Sequence, residues 1–323
     1  YSQLEAIAVE LFNQQYGFHL SRNNLCLIPG HQHVLSKIAL QLLSGQIVVV
    51  TCPGSLTINN ILAEVGALPI PLQVHPSGID PVQLEALCKT HRVKALLIDT
   101  ASYCMMAGEM NASLMDELII LAEKYHFLII EHNSDRELWF GPGHYPLIAN
   151  RRHRDRLIYL GCLSSLITPL NYFGVVAGPD HFTGAFKEKW LKSSLDESRE
   201  IAGTVHQLLI AGETHQSLKK LRKIFYEKRE TAAMLIRTYL GDHVTFSMPP
   251  AGLACWLYLK DHSIIDPLTD ELRNEGILLR PQADYSTGYP AYPALFFGFG
   301  RLPILQIEEV LQSLNDLFGK LRK

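Results

Sequence analysis

Apolar residues recur at helical spacing over residues 4–15 (Leu4, Ile7, Ala8, Leu11, Phe12), and the pattern stops near Gly17. A short apolar run at 25–28 predicts a strand, and 33–43 an amphipathic helix. The alternation continues with a buried strand at 46–51, a helix at 56–65 and a proline-broken strand at 68–74. A helix at 81–89 follows, with Asp80 placed to cap it. Next come a strand at 93–99, a helix at 113–125 and strands at 127–131, 156–161 and 172–177. Strands that alternate with helices predict βαβ units and a mostly parallel sheet.

A helical stretch covers about 182–240. The remainder changes character, with strands at 244–248, 252–259, 277–279 and 295–299 and helices at 268–274 and 307–321. This predicts a large α/β domain over 1–225, which includes the N-terminal helix, and a smaller α/β domain over 226–323. Residues 157–179 carry no charge and follow a basic run, as a membrane-spanning helix would. Gly161, Pro169, Asn171, Gly174 and Gly178 interrupt them, so two buried strands joined by a loop are expected instead, and no membrane partner.

Composition narrows the class. Of 323 residues, 47% are hydrophobic and 19% charged, enough for a large packed core. The net charge of -3 argues against direct contact with nucleic acid, which needs a basic face. The runs at 151–154 and at Lys219 and Lys220 read as solvated faces. Six cysteines without a Cys-x-x-Cys pair read as buried thiols in a reducing compartment, and a cytoplasmic location is expected. No metal site is expected, because His31 and His33 diverge at the start of a helix.

Landmarks in a fixed order carry a resemblance. They are Pro29-Gly30-His31-Gln32 before a helix, Thr51-Cys52-Pro53 after one, Ser77-Gly78-Ile79-Asp80, and Ile130-Glu131 with Asp135 and Glu137. Ile158-Tyr159-Leu160-Gly161, Gly252-Leu253 with Trp256, Leu279-Arg280-Pro281 and Gly298-Phe299 with Arg301 complete the set. In this order the chain resembles fold-type I aminotransferases, and most closely the aminotransferase-like half of MocR-type regulators of the GntR family. The resemblance spans nearly the whole chain. It implies a mostly parallel seven-stranded sheet between helices, a smaller C-terminal α/β domain, a homodimer and pyridoxal phosphate as the family's cofactor. It also implies a winged helix-turn-helix outside this sequence, so that DNA would be reached only through that module and this chain would be an excised domain.

The positions that such a cofactor needs are changed in this chain. The lysine of the imine aligns with Ser165, whose hydroxyl cannot form one. The aspartate at the ring nitrogen aligns with His132, and the tyrosine at the ring hydroxyl with Ser134. The stacking aromatic aligns with Ser55, the phosphate arginine with Tyr172, and the arginine for the substrate carboxylate with Phe296. The family's Pro-Thr-Gly turn reads Met106-Ala107-Gly108. Gly30, His31, Gln32 and Ser164 remain as candidate anion or ligand contacts at a helix start. The aromatic group Tyr285, Tyr289, Tyr292, Phe296, Phe297 and Phe299 reads as core plus a loop.

No catalytic residue and no covalent cofactor are therefore expected, although a non-covalent ligand could still bind. The resemblance implies a catalytically inactive effector-sensing or dimerisation domain of a bacterial MocR-type regulator, responding to an unknown small molecule. The alternatives are an aminotransferase with a shifted active site and a purely structural dimerisation module.

Overall fold

The computed structural model describes residues 2–30, 33–151, 155–190, 199–286 and 291–321. The large sheet contains β1 (Leu25–Pro29), β2 (Ile47–Cys52), β3 (Leu68–His75), β4 (Gly78–Ile79), β5 (Val93–Asp99), β6 (Leu128–His132), β7 (Leu157–Cys162) and β8 (Phe173–Ala177). Their order is β1-β8-β7-β6-β5-β2-β3-β4. The block from β7 to β3 is parallel, while β8 runs antiparallel between β7 and β1.

The sheet thus has eight strands rather than the expected seven. The extra one is β4, a two-residue strand that folds straight back on β3. Gly78 makes the turn possible: its φ is +105°, and a Cβ there would lie 2.7 Å from the Tyr103 hydroxyl. The uncharged 157–179 segment forms β7, a loop and β8.

Helices cover both faces: α1 (Ser2–Tyr16), α2 (Val34–Leu42), α3 (Leu56–Glu64), α4 (Pro81–Thr90), α5 (Thr100–Ala107), α6 (Ala112–Tyr125), α7 (Asp180–Trp190) and α8 (Arg199–Ile210). Strand side chains alternate between two cores, as the period of the pleat requires. Val49, Leu96, Ile98, Ile129 and Tyr159 join Leu4, Ala8 and Phe12 of α1 on one face. Val48, Val50, Leu97, Ile130 and Ile158 join Ile38 of α2, Ile61 of α3 and Phe186 of α7 on the other. Asp80 accepts from the Val82 amide and caps α4 as expected.

Helix α5 has no counterpart in the sequence reading. It is apolar on nearly every side, with Tyr103, Cys104 and Met106 all buried, so it carries no amphipathic period. Its start is marked by Asp99, whose carboxylate accepts from the Ser102 amide.

The single helical stretch expected over 182–240 contains α7, α8 and the long α9 (Glu213–Leu240), with Gly212 at φ +72° between the last two. The expected domain boundary at 225/226 falls within α9. A third core of Ile236, Leu257, Leu295, Phe297, Leu311 and Phe318 builds the C-terminal part. Its strands are β9 (Val244–Thr245), β10 (Ala254–Leu259), β11 (Arg280–Pro281) and β12 (Ala294–Gly298), all antiparallel in the order β11-β12-β10-β9. Helices α10 (Ile265–Asn274) and α11 (Ile304–Leu321) pack with them.

Two strands here differ from expectation. The strand at 244–248 ends at Thr245, shortly before Pro249 and Pro250, which have no N–H to offer a ladder. The strand at 277–279 begins only at Arg280, because the Ile277 amide closes α10 by donating to the Leu272 carbonyl at 2.8 Å.

Candidate functional site

In an open α/β sheet the place for a ligand is the edge where the parallel strands end. There β2 leads to Ser55, β5 ends at Asp99, β6 at His132, and β7 runs into Ser164 and Ser165. The topology thus brings Ser55, His132, Ser164 and Ser165 to one edge of the sheet.

The loop after β7 is held by one carboxylate. Oε2 of Glu137 accepts from the Ser164 hydroxyl at 3.0 Å, the Ser165 amide at 2.7 Å, the Ser165 hydroxyl at 2.9 Å and the Leu166 amide at 3.1 Å. Oε1 accepts from the Tyr16 hydroxyl at 3.3 Å. Ser164, fully buried, also accepts from the Ile167 amide at 3.1 Å through its Oγ. Ser165 and Ser164 thus serve the conformation of their own loop.

Arg136, the neighbour of Glu137, is buried between the rings of Phe12 and Tyr16, 4.5 Å and 4.4 Å from their centroids. It donates to the Leu163 carbonyl at 2.8 Å and to the Tyr159 hydroxyl at 3.3 Å. This cation ties α1 to the loop after β7.

His132 stands at the register partner of Asp99 on the neighbouring strand. Its Nδ1 lies 2.8 Å from Oδ1 of Asp99, whose Oδ2 accepts from the Ser102 hydroxyl at 2.6 Å. With a carboxylate as acceptor, Nδ1 carries the proton. Burial pushes the Asp99 carboxyl up, but His132 and Ser102 together hold it below its usual range. Asn133 is fully buried and donates to Thr100 Oγ1 at 2.7 Å and to Asp135 Oδ1 at 3.2 Å. Oδ2 of Asp135 is buried without a hydrogen-bond partner, and its carboxyl is pushed up to about 7 by burial and then by the charge of Asp99. Glu131 is also pushed up to about 7 by burial, against the pull of the Ala149 and Ile148 amides that it accepts.

The remaining positions do not converge on one polar cup. Ser134 is exposed. Ser55 precedes α3 without capping it through its side chain. Phe296 stacks on Tyr285 at 5.5 Å and meets Trp256 edge-on at 5.5 Å, in an aromatic group packed against the large core. Tyr292 is exposed, Phe297 and Phe299 lie in the small core, and Tyr289 is outside the described residues. The Tyr285 carbonyl accepts from the Gly54 amide at 3.0 Å, so the small domain touches the end of β2.

Of the candidate anion contacts, Gly30 donates its amide to the Tyr172 carbonyl at 2.9 Å, and His31 and Gln32 lie outside the described residues. Among the described residues no group of three or more His, Cys, Asp or Glu side chains could hold a metal ion. No described helix is long and apolar enough to cross a membrane.

The sequence reading missed Asp99 and the work of Arg136 and Glu137. A charge closing the apolar run Leu96-Leu97-Ile98 was the available signal for Asp99. Nothing local announced that Glu137 would reach a loop 27 residues further on.

This architecture is the fold-type I aminotransferase fold. A Pyrococcus horikoshii kynurenine aminotransferase crystallised with PMP superposes with a TM-score of 0.86 at 18% identity, covering 100% of this chain and 81% of that one. The homologues are MocR- and PdxR-type helix-turn-helix regulators and aminotransferases. The uncharacterized HTH-type transcriptional regulator YdfD of Bacillus subtilis is 22% identical over 302 residues, 93% of this chain and 62% of its own length. The probable rhizopine catabolism regulatory protein MocR of Rhizobium meliloti is 21% identical over 322 residues, 98% of this chain and 64% of its own length. The chain thus spans less than two thirds of the length of these regulators. No protein-family profile matches it.

Proposed function

We propose that this chain is a non-catalytic, aminotransferase-like sensing and dimerisation module of a cytoplasmic MocR-type transcription regulator. One observation carries the reading: where the imine lysine would stand, Ser165 offers a hydroxyl, and its amide and hydroxyl both donate to Glu137. The other side chains at this edge do not suit pyridoxal phosphate either. His132, hydrogen-bonded to Asp99, presents an imidazole in place of a carboxylate to the ring nitrogen. Ser55 offers no ring to stack on, and Phe296 offers no charge to a substrate carboxylate. We therefore route no reaction through that cofactor.

A sensing module works by unequal affinity for two arrangements of a dimer, passed on to DNA-binding modules carried elsewhere in the regulator. Thermal denaturation with pyridoxal phosphate, amino acids and sugars tests this, together with sedimentation of the chain. The expected result is a dimer whose midpoint rises with at least one small molecule while its visible spectrum stays colourless. A dimer that no compound stabilises would contradict the sensing role and favour a structural dimerisation module, and a monomer would contradict both. A yellow protein that turns over amino acids would favour the enzyme.

A further inference from the structure

A cavity of about 730 Å³ opens between the end of α1, the segment after β6 and the first half of α9. Its chemistry is lopsided. Lys219, Arg222 and Lys223 line it from α9, spaced so that they share one face of the helix. Like charges at that spacing repel one another. Their compensation is slight. Arg222 donates to the Trp139 carbonyl at 2.6 Å, and Lys223 lies 3.9 Å from an exposed Glu227.

Among the lining residues the only carboxylate is Glu137, whose Oε2 already accepts four hydrogen bonds from the loop after β7. The rest of the lining is largely aromatic, from the segment after β6 and from Tyr226 of α9 itself. Trp139 and Tyr145 lie 5.0 Å apart, Phe140 and Tyr226 lie 5.9 Å apart, and Tyr16 closes the inner end above Arg136. The Nε of buried Arg136 has no hydrogen-bond partner. Volumes of this size hold drug-sized molecules, and walls of this kind take flat ones.

We propose that this cavity is a binding site for a small molecule with an anionic head on a flat ring. The head lies among Lys219, Arg222 and Lys223, and the ring lies against Trp139 and Tyr226. The site is separate from the Ser165 and His132 edge and does not depend on the sensing reading. Tyr16 connects the two, because it lines the cavity and donates to Glu137, the residue that holds the Ser165 loop.

Isothermal titration of the whole chain tests the proposal with 2-naphthoate, indole-3-acetate and phenyl phosphate, and with neutral 2-naphthamide as control. At least one anion is expected to bind once per chain, about tenfold or more tighter than the amide, and to weaken with added salt. The Lys219→Ala/Lys223→Ala double variant, altered only at exposed positions, should lose about tenfold in affinity while its urea midpoint stays in place. Tyr226→Ala should weaken the naphthoate without changing the salt dependence. Equal binding of acid and amide, unchanged affinity in the double variant, or no saturable heat from any anion at millimolar concentration would each overturn it. Binding here would also raise the denaturation midpoint, so the thermal series is repeated on the Lys219→Ala/Lys223→Ala variant, and stabilisation that survives in it belongs to another site.

Discussion

Two sets of side chains meet at the same sheet edge, and their fates differ. Glu131, Arg136 and Glu137 face the protein itself: they satisfy the amides of Ile148, Ala149, Ser165 and Leu166 and the carbonyl of Leu163. Ser165, His132, Ser55 and Phe296, the positions singled out by the family resemblance, bring two hydroxyls, an imidazole and a phenyl ring to the same edge. The first set is buried and charged, so deleting one member strands a polar group inside the chain. In the second set Ser165 bonds to Glu137, His132 bonds to Asp99, and Phe296 packs on Tyr285 and Trp256, so a substitution there should cost less than the loss of a buried charge. The charges that hold the fold together and the side chains presented at its edge are therefore separable, and each can be changed by itself.

The sharpest way to break this contrast is Arg136→Ala. It leaves Leu163 O and the Tyr159 hydroxyl without their donor and opens space between Phe12 and Tyr16. A loss of about 3–5 kcal/mol is expected in urea unfolding, and an unchanged midpoint would mean that the buried cation holds nothing. Glu137→Gln should cost about 2–3 kcal/mol, because four donors lose a charged acceptor. The amides of Ser165 and Leu166 should then exchange faster; protection equal to the parent's would show that the loop is held by something else.

Asp135→Asn sharpens the contrast through pH. Asp135 holds its proton up to about 7 in the folded chain against an ordinary value of 3.8, mainly through burial. The folded state therefore binds more protons in that interval, and this carboxyl's contribution to stability is lost as pH rises towards 7. Relative to the parent, Asp135→Asn should gain about 1–2 kcal/mol between pH 5 and pH 8. A parallel pair of stability curves would remove Asp135 as a buried, proton-holding group. The smallest effect is expected from Ser165→Ala, about 1 kcal/mol for one hydroxyl, since the amide bond to Glu137 remains. A much larger loss would mean that Ser165 carries more than its loop.

Most of the fold was legible because buried strands and amphipathic helices write their periods into the sequence. Helix α5 was not, since burial on all sides erases the period, and β4 was not, since two residues carry none. At the candidate site the partners were illegible. The family resemblance pointed to Ser165 and His132, but Glu137 and Asp99, which bond to those two, reach them across 28 and 33 residues. Long-range polar pairs of this kind leave no local pattern to read.

The most direct test is to incubate the purified chain with pyridoxal phosphate, reduce with borohydride, and map lysine adducts by mass spectrometry. This account predicts no lysine modified to stoichiometry. One lysine carrying a full pyridoxyl equivalent, whose replacement abolishes transamination, would contradict it.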